Sequence, residues 1–341
     1  MLRIERDFPL LGYNTFGMDA RAAVFVEYGS EEELMEAADM LRTGCLPSPW
    51  LHIGGGSNLL FTRNWQGTVL HSRMDYVEPL WESTEEVAVR VASGTVWDGF
   101  VAMCVERGWY GAENLSGIPG EAGAAAVQNI GAYGVEAKDL ILEVDTLDMD
   151  SGVKKKFQAA QCGYGYRNSI FKQPENRKYV VLSVVFKLGK RPHFNLSYKA
   201  LSESLADSSD VSLQEVRGAV LSIRNSKLPD PAVLGSAGSF FTNPVVSKSK
   251  LQELRQQWPA IPFHELHEGG DSVKLSAGWL IEQCGWKGRS LGRAGVYGRQ
   301  ALVLVNLGGA AGAEVQALAD AICNDVRNRF GVELHPEVNI L

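Results

Sequence analysis

The chain has 341 residues, of which 45% are apolar and 21% charged, a composition typical of soluble globular proteins and sufficient for two or three domains. Its formal net charge of −7 disfavours nucleic acid or an anionic membrane as a partner, so an anionic substrate would need a local basic pocket. Five scattered cysteines without a CxxC pair indicate reduced thiols. Charges at the N-terminus and the lack of a long apolar run argue against a signal peptide or a membrane span, so we expect a cytoplasmic protein.

The first predicted helix begins at Ser30, whose SEEE sequence forms a capping box with Glu33, and Gly44 can end it. Residues 50–53 then form a short strand that runs into the sequence GGGSN (54–58). Such a turn either has a purely structural role or directs backbone N–H groups at an anion. Strand and turn sequence follows instead of a helix, which excludes a dinucleotide-binding Rossmann domain.

The next segments mix strands and helices without regular alternation. Residues 87–91 predict a strand, and Thr95 is expected to cap a helix that ends at Arg107. Residues 141–149 and 153–157 predict a hairpin, and 179–188 predict an apolar strand. This order favours an α+β fold.

Residues 116–134, SGIPGEAGAAAVQNIGAYG, are predicted to form a glycine-rich loop whose only charged residue is Glu121. Small residues allow one backbone to approach another backbone, or a ligand, closely. Gln128 and Asn129 are amides in an otherwise apolar run, so they either satisfy turns or contact a polar ligand.

Two basic residues have both a structural and a functional interpretation. Arg167 lies among aromatic and small residues in CGYGYRNSIFK (162–172), where it either stacks on the surface or clamps a carboxylate or an oxyanion. Lys227 follows a helix that starts with a Ser212–Glu215 capping box and stops at KLPDP (227–231). It either complements the helix dipole or meets an anion. The charged stretch 202–210 predicts a change of domain.

The segment GSAGSFFTNP (235–244) contains Ser239 and Asn243. A serine in a glycine-rich turn is usually a turn residue, and without a G-x-S-x-G elbow a serine hydrolase has little support. In HELHE (264–268) the histidines are three apart rather than four, so we predict an exposed loop and no metal site.

Residues 272–286 are predicted to form an amphipathic helix flanked by Lys274 and Lys287, which could meet an anionic ligand. Gln300 introduces a predicted strand at 301–305, and 312–330 predict a helix with one apolar face. Glu337, in the extended tail, is either an exposed carboxylate or a functional one.

Together these motifs resemble the UDP-N-acetylenolpyruvoylglucosamine reductase family, also called UDP-N-acetylmuramate dehydrogenases. The matching segments follow in the family's order along nearly the whole chain: NTFG (14–17), GGGSN (54–58), SGIPG…QNIGAYG (116–134), GYGYRNSIFK (163–172), KLPDP (227–231), GSAGSFFTNP (235–244), SVKLSAGWLIEQ (272–283), QALVLVN (300–306) and PEV (336–338).

The resemblance implies an α+β fold with two FAD-binding subdomains of the vanillyl-alcohol-oxidase type and a C-terminal substrate-binding domain. We expect the subdomains at 1–70 and 71–210, the substrate domain at 218–323, and a tail, 324–341, that returns to the active site. Tyr198 in LSYKAL resembles the tyrosine of the family type that has a tyrosine loop over the substrate.

The resemblance also implies the site residues. The catalytic residues would be Arg167, which stabilises an enolate, Ser239, which donates a proton, and Glu337, which assists. The residues expected to bind FAD are Ile53, Gly54, Gly55, Gly56, Ser57, Asn58, Leu59, Ser116, Gly117, Ile118, Gly120, Gly123, Gln128, Asn129, Gly131, Ala132 and Tyr133. Those expected to bind substrate are Tyr198, Lys227, Asn243, Lys274, Lys287 and Gln300.

The implied reaction is the reduction of UDP-N-acetylglucosamine enolpyruvate to UDP-N-acetylmuramate, with NADPH as the hydride donor and non-covalent FAD as the carrier, in peptidoglycan precursor synthesis by a monomeric enzyme. Two alternatives stay open: another FAD-dependent oxidase or dehydrogenase of the same fold, and a non-catalytic UDP-sugar-binding flavoprotein. Two residues depart from the family pattern, His335 and Glu121. An acid near a flavin pyrophosphate would cost binding unless it points away.

Overall fold

The computed structural model describes residues 2–206, 208, 210–266 and 270–341. The strands are β1 Arg3–Pro9, β2 Arg21–Tyr28, β3 Trp50–Ile53, β4 Leu59–Leu60, β5 Trp65–Ser72, β6 Val77–Glu82, β7 Glu86–Ala92, β8 Gly131–Ala132, β9 Val135–Glu136, β10 Ile141–Asp148, β11 Val153–Gln158, β12 Tyr179–Gly189, β13 Val245–Ser247, β14 Phe263–Glu265, β15 Ser272–Leu275, β16 Ser290–Leu291, β17 Ala294–Val296, β18 Leu304–Asn306 and β19 Asn339–Ile340. The helices are α1 Glu31–Arg42, α2 Trp97–Glu106, α3 Ala122–Gln128, α4 Lys199–Ser204, α5 Leu213–Lys227, α6 Lys248–Gln257, α7 Ala277–Gln283 and α8 Gly312–Phe330.

The chain divides into two compact units, and each is assembled from separate stretches of sequence. Unit 1 comprises residues 1–8, 22–56 and 65–225. Unit 2 comprises 9–21, 57–64 and 226–341. Strands and helices are mixed in both, as the predicted α+β class requires.

Unit 1 contains a four-stranded sheet in the order β1-β2-β5-β3 and a five-stranded sheet in the order β11-β10-β12-β7-β6. Strands β2, β5 and β3 are parallel, and α1 provides the crossover that a parallel connection needs. The Ser30 hydroxyl caps α1 by accepting from the Glu33 N–H, which is one half of the predicted capping box. The Glu33 carboxylate accepts from the Gly29 N–H at 2.7 Å, one residue before the position that a capping box uses.

One core of unit 1 lies between the five-stranded sheet and helices α2 and α3. Trp97 and Phe100 of α2 pack on Phe186 of β12, with ring centroids 5.6 and 5.3 Å apart. Helix α3 corrects the sequence prediction, because residues 116–134 were expected to form a loop. Alanine has the highest helix propensity, and the run AGAAAVQ uses it for two turns.

Unit 2 contains two three-stranded sheets, β13-β15-β14 and β16-β17-β18, and the pair β19-β4. Helix α8 matches its predicted range, and its buried face includes Val315, Leu318 and Ile322. Pairing of β4 with β19 joins residues 59–60 to the C-terminal tail.

Three further predicted elements differ from the structure. Residues 272–286 are not one helix, because 272–275 pair with β13 and β14 and Ser276 then caps the short α7. Thr95 is not a helix cap, since its hydroxyl donates to the Tyr76 carbonyl and α2 starts at Trp97. The strand predicted at 301–305 is β18, Leu304–Asn306.

Other predictions of secondary structure are confirmed, including the hairpin β10–β11 and the Ser212–Glu215 capping box. The exposed loop predicted at HELHE is only partly correct, because His264 and Glu265 are exposed but pair with β15 as part of β14. His267 falls outside the described residues. All five cysteines are described and are free thiols. Among the described residues no helix is long and apolar enough to cross a membrane.

Helix α3 packs so closely on the segment after β7 that a side chain does not fit at Gly123. A Cβ added there would lie 2.8 Å from Ser93 Cβ and 3.2 Å from the Ser93 carbonyl oxygen. We therefore predict that Gly123→Ala lowers the free energy of unfolding by about 1–3 kcal/mol through overpacking.

Gly218→Ala is the matched control, because Gly218 is an exposed glycine inside α5 with nothing within 4 Å of an added Cβ. It should stabilise the protein by about 0.5–1 kcal/mol. Urea unfolding measures both variants. Equal effects of the two substitutions would contradict the packing described for α3.

Candidate active site

In unit 1, the end of the 50–56 segment lies against the start of α3. A Cβ added to Gly55 would lie 3.4 Å from Gly120 Cα, and one added to Gly54 would lie 3.4 Å from Ala124 Cβ. The Trp97 N–H donates to the Gly120 carbonyl at 3.0 Å, which fixes the second segment on α2. Two backbones therefore approach closely here, with the Glu121 carboxylate beside both glycines.

The turn at Gly117 is held by charged residues that sequence reasoning missed. The Gly117 N–H donates to Asp98 Oδ1 at 2.6 Å, and its carbonyl accepts from Arg224 Nε at 3.1 Å. Arg217 bonds both oxygens of Asp98, at 2.7 and 2.9 Å. Burial raises the pKa of Asp98, but the bonds from Arg217 and the Gly117 N–H outweigh it and lower the pKa below its usual value. The seven-residue spacing of the two arginines, on one face of α5, is the signal that could have identified them.

The polar residues of 116–134 mostly bond to the protein itself. Ser116 is fully buried, and its hydroxyl donates to the Glu113 carbonyl at 2.6 Å. Asn129 is also fully buried and left-handed, with φ of 47°. Its amide donates to Glu136 and to the Gly165 carbonyl, and its oxygen accepts from the Lys138 N–H. For Asn129 the structure supports the turn interpretation.

Other predicted cofactor residues lie around these contacts. Ile53 is buried at the end of β3, Ile118 packs on the core, and Gln128 ends α3. Gly131 and Ala132 form β8, which pairs with β9.

Arg167 lies beside β8. Its Nη2 donates to the Gly131 carbonyl at 2.8 Å, and its guanidinium lies 5.3 Å from the Tyr166 ring centroid. Its own carbonyl accepts from Lys172 Nζ, and its φ is 52°. Backbone strain of this kind in a non-glycine residue is common at functional sites.

Tyr133 connects this region to Tyr198. Their rings meet edge to face with centroids 5.0 Å apart, and the Tyr198 side chain is 43% exposed. Tyr198 directly precedes α4. The structure thus brings two sequence-predicted residues from distant parts of the chain together.

In unit 2, Ser239 and Glu337 lie on adjacent segments. Ser239 forms an isolated bridge with Val303, and the Glu337 N–H donates to the Phe240 carbonyl at 2.8 Å. The Glu337 carbonyl accepts from Asn58 Nδ2 at 3.3 Å. The tail therefore carries Glu337 into a fixed position between Asn58 and the segment that contains Ser239.

Three of the predicted substrate residues lie on or beside strand β15 and helix α7 of unit 2: Asn243, Lys274 and Gln300. Asn243 Oδ1 accepts from the Ala277 N–H at 3.0 Å, at the start of α7. Lys274 lies in β15, opposite Val245. A Cβ added to Gly278 of α7 would lie 3.2 Å from Gln300 Oε1.

The two remaining lysines have other surroundings. Lys287 donates to Glu282 at 3.0 Å, and Lys227 is exposed at the end of α5.

Two of the residues predicted to bind FAD, Ser57 and Leu59, belong to unit 2, next to Asn58.

Glu121 does not face away from the 54–56 segment. Its Oε2 would lie 3.0 Å from a Cβ on Gly54, and its Oε1 is 3.3 Å from His71 Nε2. His71 Nδ1 in turn is 3.2 Å from Glu27 Oε1. Sequence reasoning missed this pairing, because Glu27, His71 and Glu121 are far apart in the chain.

Two family models match the chain. The FAD binding domain matches residues 22–155, and the C-terminal domain of UDP-N-acetylenolpyruvoylglucosamine reductase matches residues 230–341. These matches, with the fold, define an FAD-dependent oxidoreductase.

The relatives of the chain specify which FAD-dependent oxidoreductase it resembles. The chain is 52% identical over 338 residues to the UDP-N-acetylenolpyruvoylglucosamine reductase of Bacteroides fragilis, covering 99% of this chain and 100% of that protein. It is 47% identical to that of Porphyromonas gingivalis, covering 99% of each chain. The chain belongs to the UDP-N-acetylenolpyruvoylglucosamine reductase family.

A solved structure supports the fold. The crystal structure of the reductase from Thermus caldophilus aligns over 100% of this chain and 99% of its own, with a TM-score of 0.68 and 23% sequence identity. The predicted α+β class and family are both confirmed.

The residues of unit 1 fit FAD, because the 54–56 and 117–124 segments offer backbone instead of bulky side chains. The acid beside them, Glu121, is paired with a histidine. His52, the nearest histidine in the sequence, is half-buried and bonded to the Tyr28 hydroxyl at 2.8 Å, which supports non-covalent FAD.

The loop assignment predicts the effect of a charge at Gly55. Gly55→Asp places a carboxylate where the pyrophosphate is expected, so the variant should purify folded but without flavin. Gly55→Ala is the matched control. Its Cβ would lie at an ordinary 3.4 Å from Gly120, and most flavin should be retained. The visible absorbance of the purified proteins gives the flavin content, and a fully yellow Gly55→Asp protein would refute the assignment.

Proposed function

We propose that this protein reduces UDP-N-acetylglucosamine enolpyruvate to UDP-N-acetylmuramate, with NADPH as reductant, in the cytoplasmic synthesis of peptidoglycan precursors. The observation that carries the proposal is the 52% identity over almost the full length of a reductase with this name. When bound, FAD supplies a two-electron carrier between NADPH and the enolpyruvyl double bond.

We propose that Gly54, Gly55, Gly56, Ser57 and Asn58, together with the backbone of 116–120 and 131–133, hold the FAD. Backbone N–H groups in glycine turns bind phosphate without a side chain. The bonds of Gly117 to Asp98 and Arg224 fix one of these turns in advance of binding.

Reduction at the terminal carbon leaves an enolate next to the substrate carboxylate, and this charge must be stabilised. We propose that Arg167 supplies the stabilising cation. Its guanidinium is held by the Gly131 carbonyl, which fixes its plane before substrate arrives. We propose that Glu337, fixed through its backbone at Phe240 and Asn58, assists by fixing the geometry.

The enolate carbon then needs a proton, and we propose that Ser239 donates it. Ser239 is half-buried between Gly238 and the fully buried Phe240. Gly238 has no side chain and so permits close approach of a substrate, and the aromatic ring of Phe240 excludes water. The strongly basic enolate compensates for the weak acidity of a hydroxyl.

The remaining residues would hold the nucleotide. Lys227, Lys274 and Lys287 carry positive charge suited to a diphosphate, and Asn243 and Gln300 offer amides. Tyr198, partly exposed on the Tyr133 ring, is suited to cover the substrate.

The test of the overall function is product analysis. NADPH oxidation should depend on the enolpyruvyl nucleotide, and mass spectrometry should find a product heavier by two hydrogens. NADPH oxidation without a change in the mass of the nucleotide would instead favour another flavoenzyme of the same fold.

The position of Arg167 predicts that its shape matters as well as its charge. Lysine cannot keep the planar fork that bonds Gly131, so Arg167→Lys should slow reduction of the enolpyruvyl substrate more than flavin reduction by NADPH. Rapid mixing measures the two half-reactions separately. An equal loss in both would instead indicate a purely structural arginine.

Ser239→Ala removes the proposed proton donor but keeps the flavin and the stabilising arginine. Flavin reduction by NADPH should stay near normal, whereas reoxidation by the enolpyruvyl substrate should slow by about 10²–10⁴-fold. Ser239→Cys should recover part of the loss, and Ser236→Ala, three residues earlier, is the control. Reoxidation of Ser239→Ala at the wild-type rate would show that another group or water supplies the proton.

A further inference from the structure

The side chains of Glu27, His71 and Glu121 form a chain of charges that ends beside the 54–56 segment. Glu27 and His71 are register partners on the parallel strands β2 and β5, so both side chains lie on one face of the sheet. Their side chains are 6% and 14% exposed, and that of Glu121 is 11% exposed. All three therefore interact in a poorly hydrated region, where charges are weakly screened.

Glu121 occupies the N-cap position of α3, yet its side chain forms no capping bond and instead lies 3.3 Å from His71. The carboxylate also borders Gly54 and Gly55, at 3.0 and 3.8 Å from their ideal Cβ positions. It is thus placed where a bound pyrophosphate would be repelled by an uncompensated negative charge.

We propose that His71, held as an imidazolium between Glu27 and Glu121, is a positioning residue for FAD. It neutralises the carboxylate beside Gly54 and Gly55 and thereby lets this loop accept an anion. The inference rests on the proposed role of the 54–58 loop in holding the FAD pyrophosphate.

The surroundings of His71 support a positive charge. Burial lowers the pKa of His71, but Glu121 and Glu27 outweigh burial and raise it above its usual value of 6.5. Arg3 and Arg73 bond to Glu27 at 3.0 and 3.4 Å and keep that carboxylate ionised.

The other titratable groups nearby are neutral. Burial and, to a smaller extent, the charge of His71 lower the pKa of His52 to about 3, so His52 carries no charge. Burial raises the pKa of Tyr28, whose hydroxyl bonds to His52. His71 is accordingly the cation that faces Glu121.

The sign of the pH dependence follows from the raised pKa. The imidazolium predominates below pH 6.5 and is lost as the pH rises through the raised pKa, which leaves Glu121 uncompensated. FAD should therefore bind more weakly at high pH. By linkage, FAD binding should raise the pKa of His71 still further.

The test is a double-mutant cycle on FAD binding. Apoprotein is titrated with FAD and followed by flavin fluorescence for the wild type, His71→Gln, Glu121→Gln and the double variant, between pH 6 and 9. A charge of this kind is worth about a tenfold change in Kd. His71→Gln should weaken FAD binding by about that factor at pH 6, and the wild type should approach the same Kd as the pH rises to 9.

Glu121→Gln in the His71→Gln background should restore most of the affinity, because it removes the charge that the histidine compensates. His193→Gln, a surface histidine, is the control and should leave Kd unchanged. Thermal unfolding of each apoprotein separates loss of binding from loss of folding. If His71→Gln does not fold, the pH dependence of the wild type and its reduction in Glu121→Gln carry the test.

Two results would overturn the inference: a wild-type Kd that is the same at pH 6 and 9, or a double variant that binds no better than His71→Gln. The Gly55→Asp protein distinguishes these from failure of the loop assignment. If Gly55→Asp keeps its flavin, the loop does not hold the pyrophosphate. If it loses flavin while the cycle shows no coupling, only the role of His71 is wrong.

Discussion

Close approach of two backbones is the constraint on which unit 1 depends. The 54–56 segment and the start of α3 meet at glycines, and α3 itself packs on Ser93 with no space for a side chain. Glycines have no side chain, so a ligand can approach their backbone N–H groups closely. Such a surface suits an anionic cofactor because backbone dipoles bind phosphate without a desolvated side-chain charge.

In keeping with this constraint, charged side chains bond to the backbone of the glycine-rich segments. Asp98, Arg217 and Arg224 hold the backbone of Gly117, and Arg167 is held by the backbone of Gly131. Glu121 is the exception, since its carboxylate borders the glycines directly. Its carboxylate lies 3.3 Å from His71 Nε2, at a position where the family resemblance leads one to expect a small or hydroxyl residue.

Unit 2 depends on its C-terminal tail. The last residues pair with Leu59 and Leu60, and the residues just before them bond to the segment 240–242. A glutamate in an isolated extended tail would be free to move. Here hydrogen bonds to its N–H and carbonyl fix the main chain at Glu337, which suits the catalytic role proposed for its carboxylate.

The sequence predicted local features well, since these depend on nearby residues. The Ser30 cap, the Ser212–Glu215 capping box and the helix 312–330 follow from side chains three or four positions apart. The helix predicted at 272–286 was wrong because Val273 and Leu275 are buried by pairing with distant strands, which periodicity in a short segment does not reveal. The site residues came from motifs, whereas the pairings of His71 with Glu121 and of Asp98 with Arg217 depend on folding and were missed.

In the proposed reaction one protein passes reducing equivalents from NADPH to an enolpyruvyl nucleotide through FAD. An anaerobic titration followed at the flavin absorbance tests this transfer. We expect NADPH to bleach the yellow protein and UDP-N-acetylglucosamine enolpyruvate then to restore the colour in stoichiometric amount. If the nucleotide leaves the bleached protein colourless while oxygen restores the colour, the protein does not reduce this nucleotide.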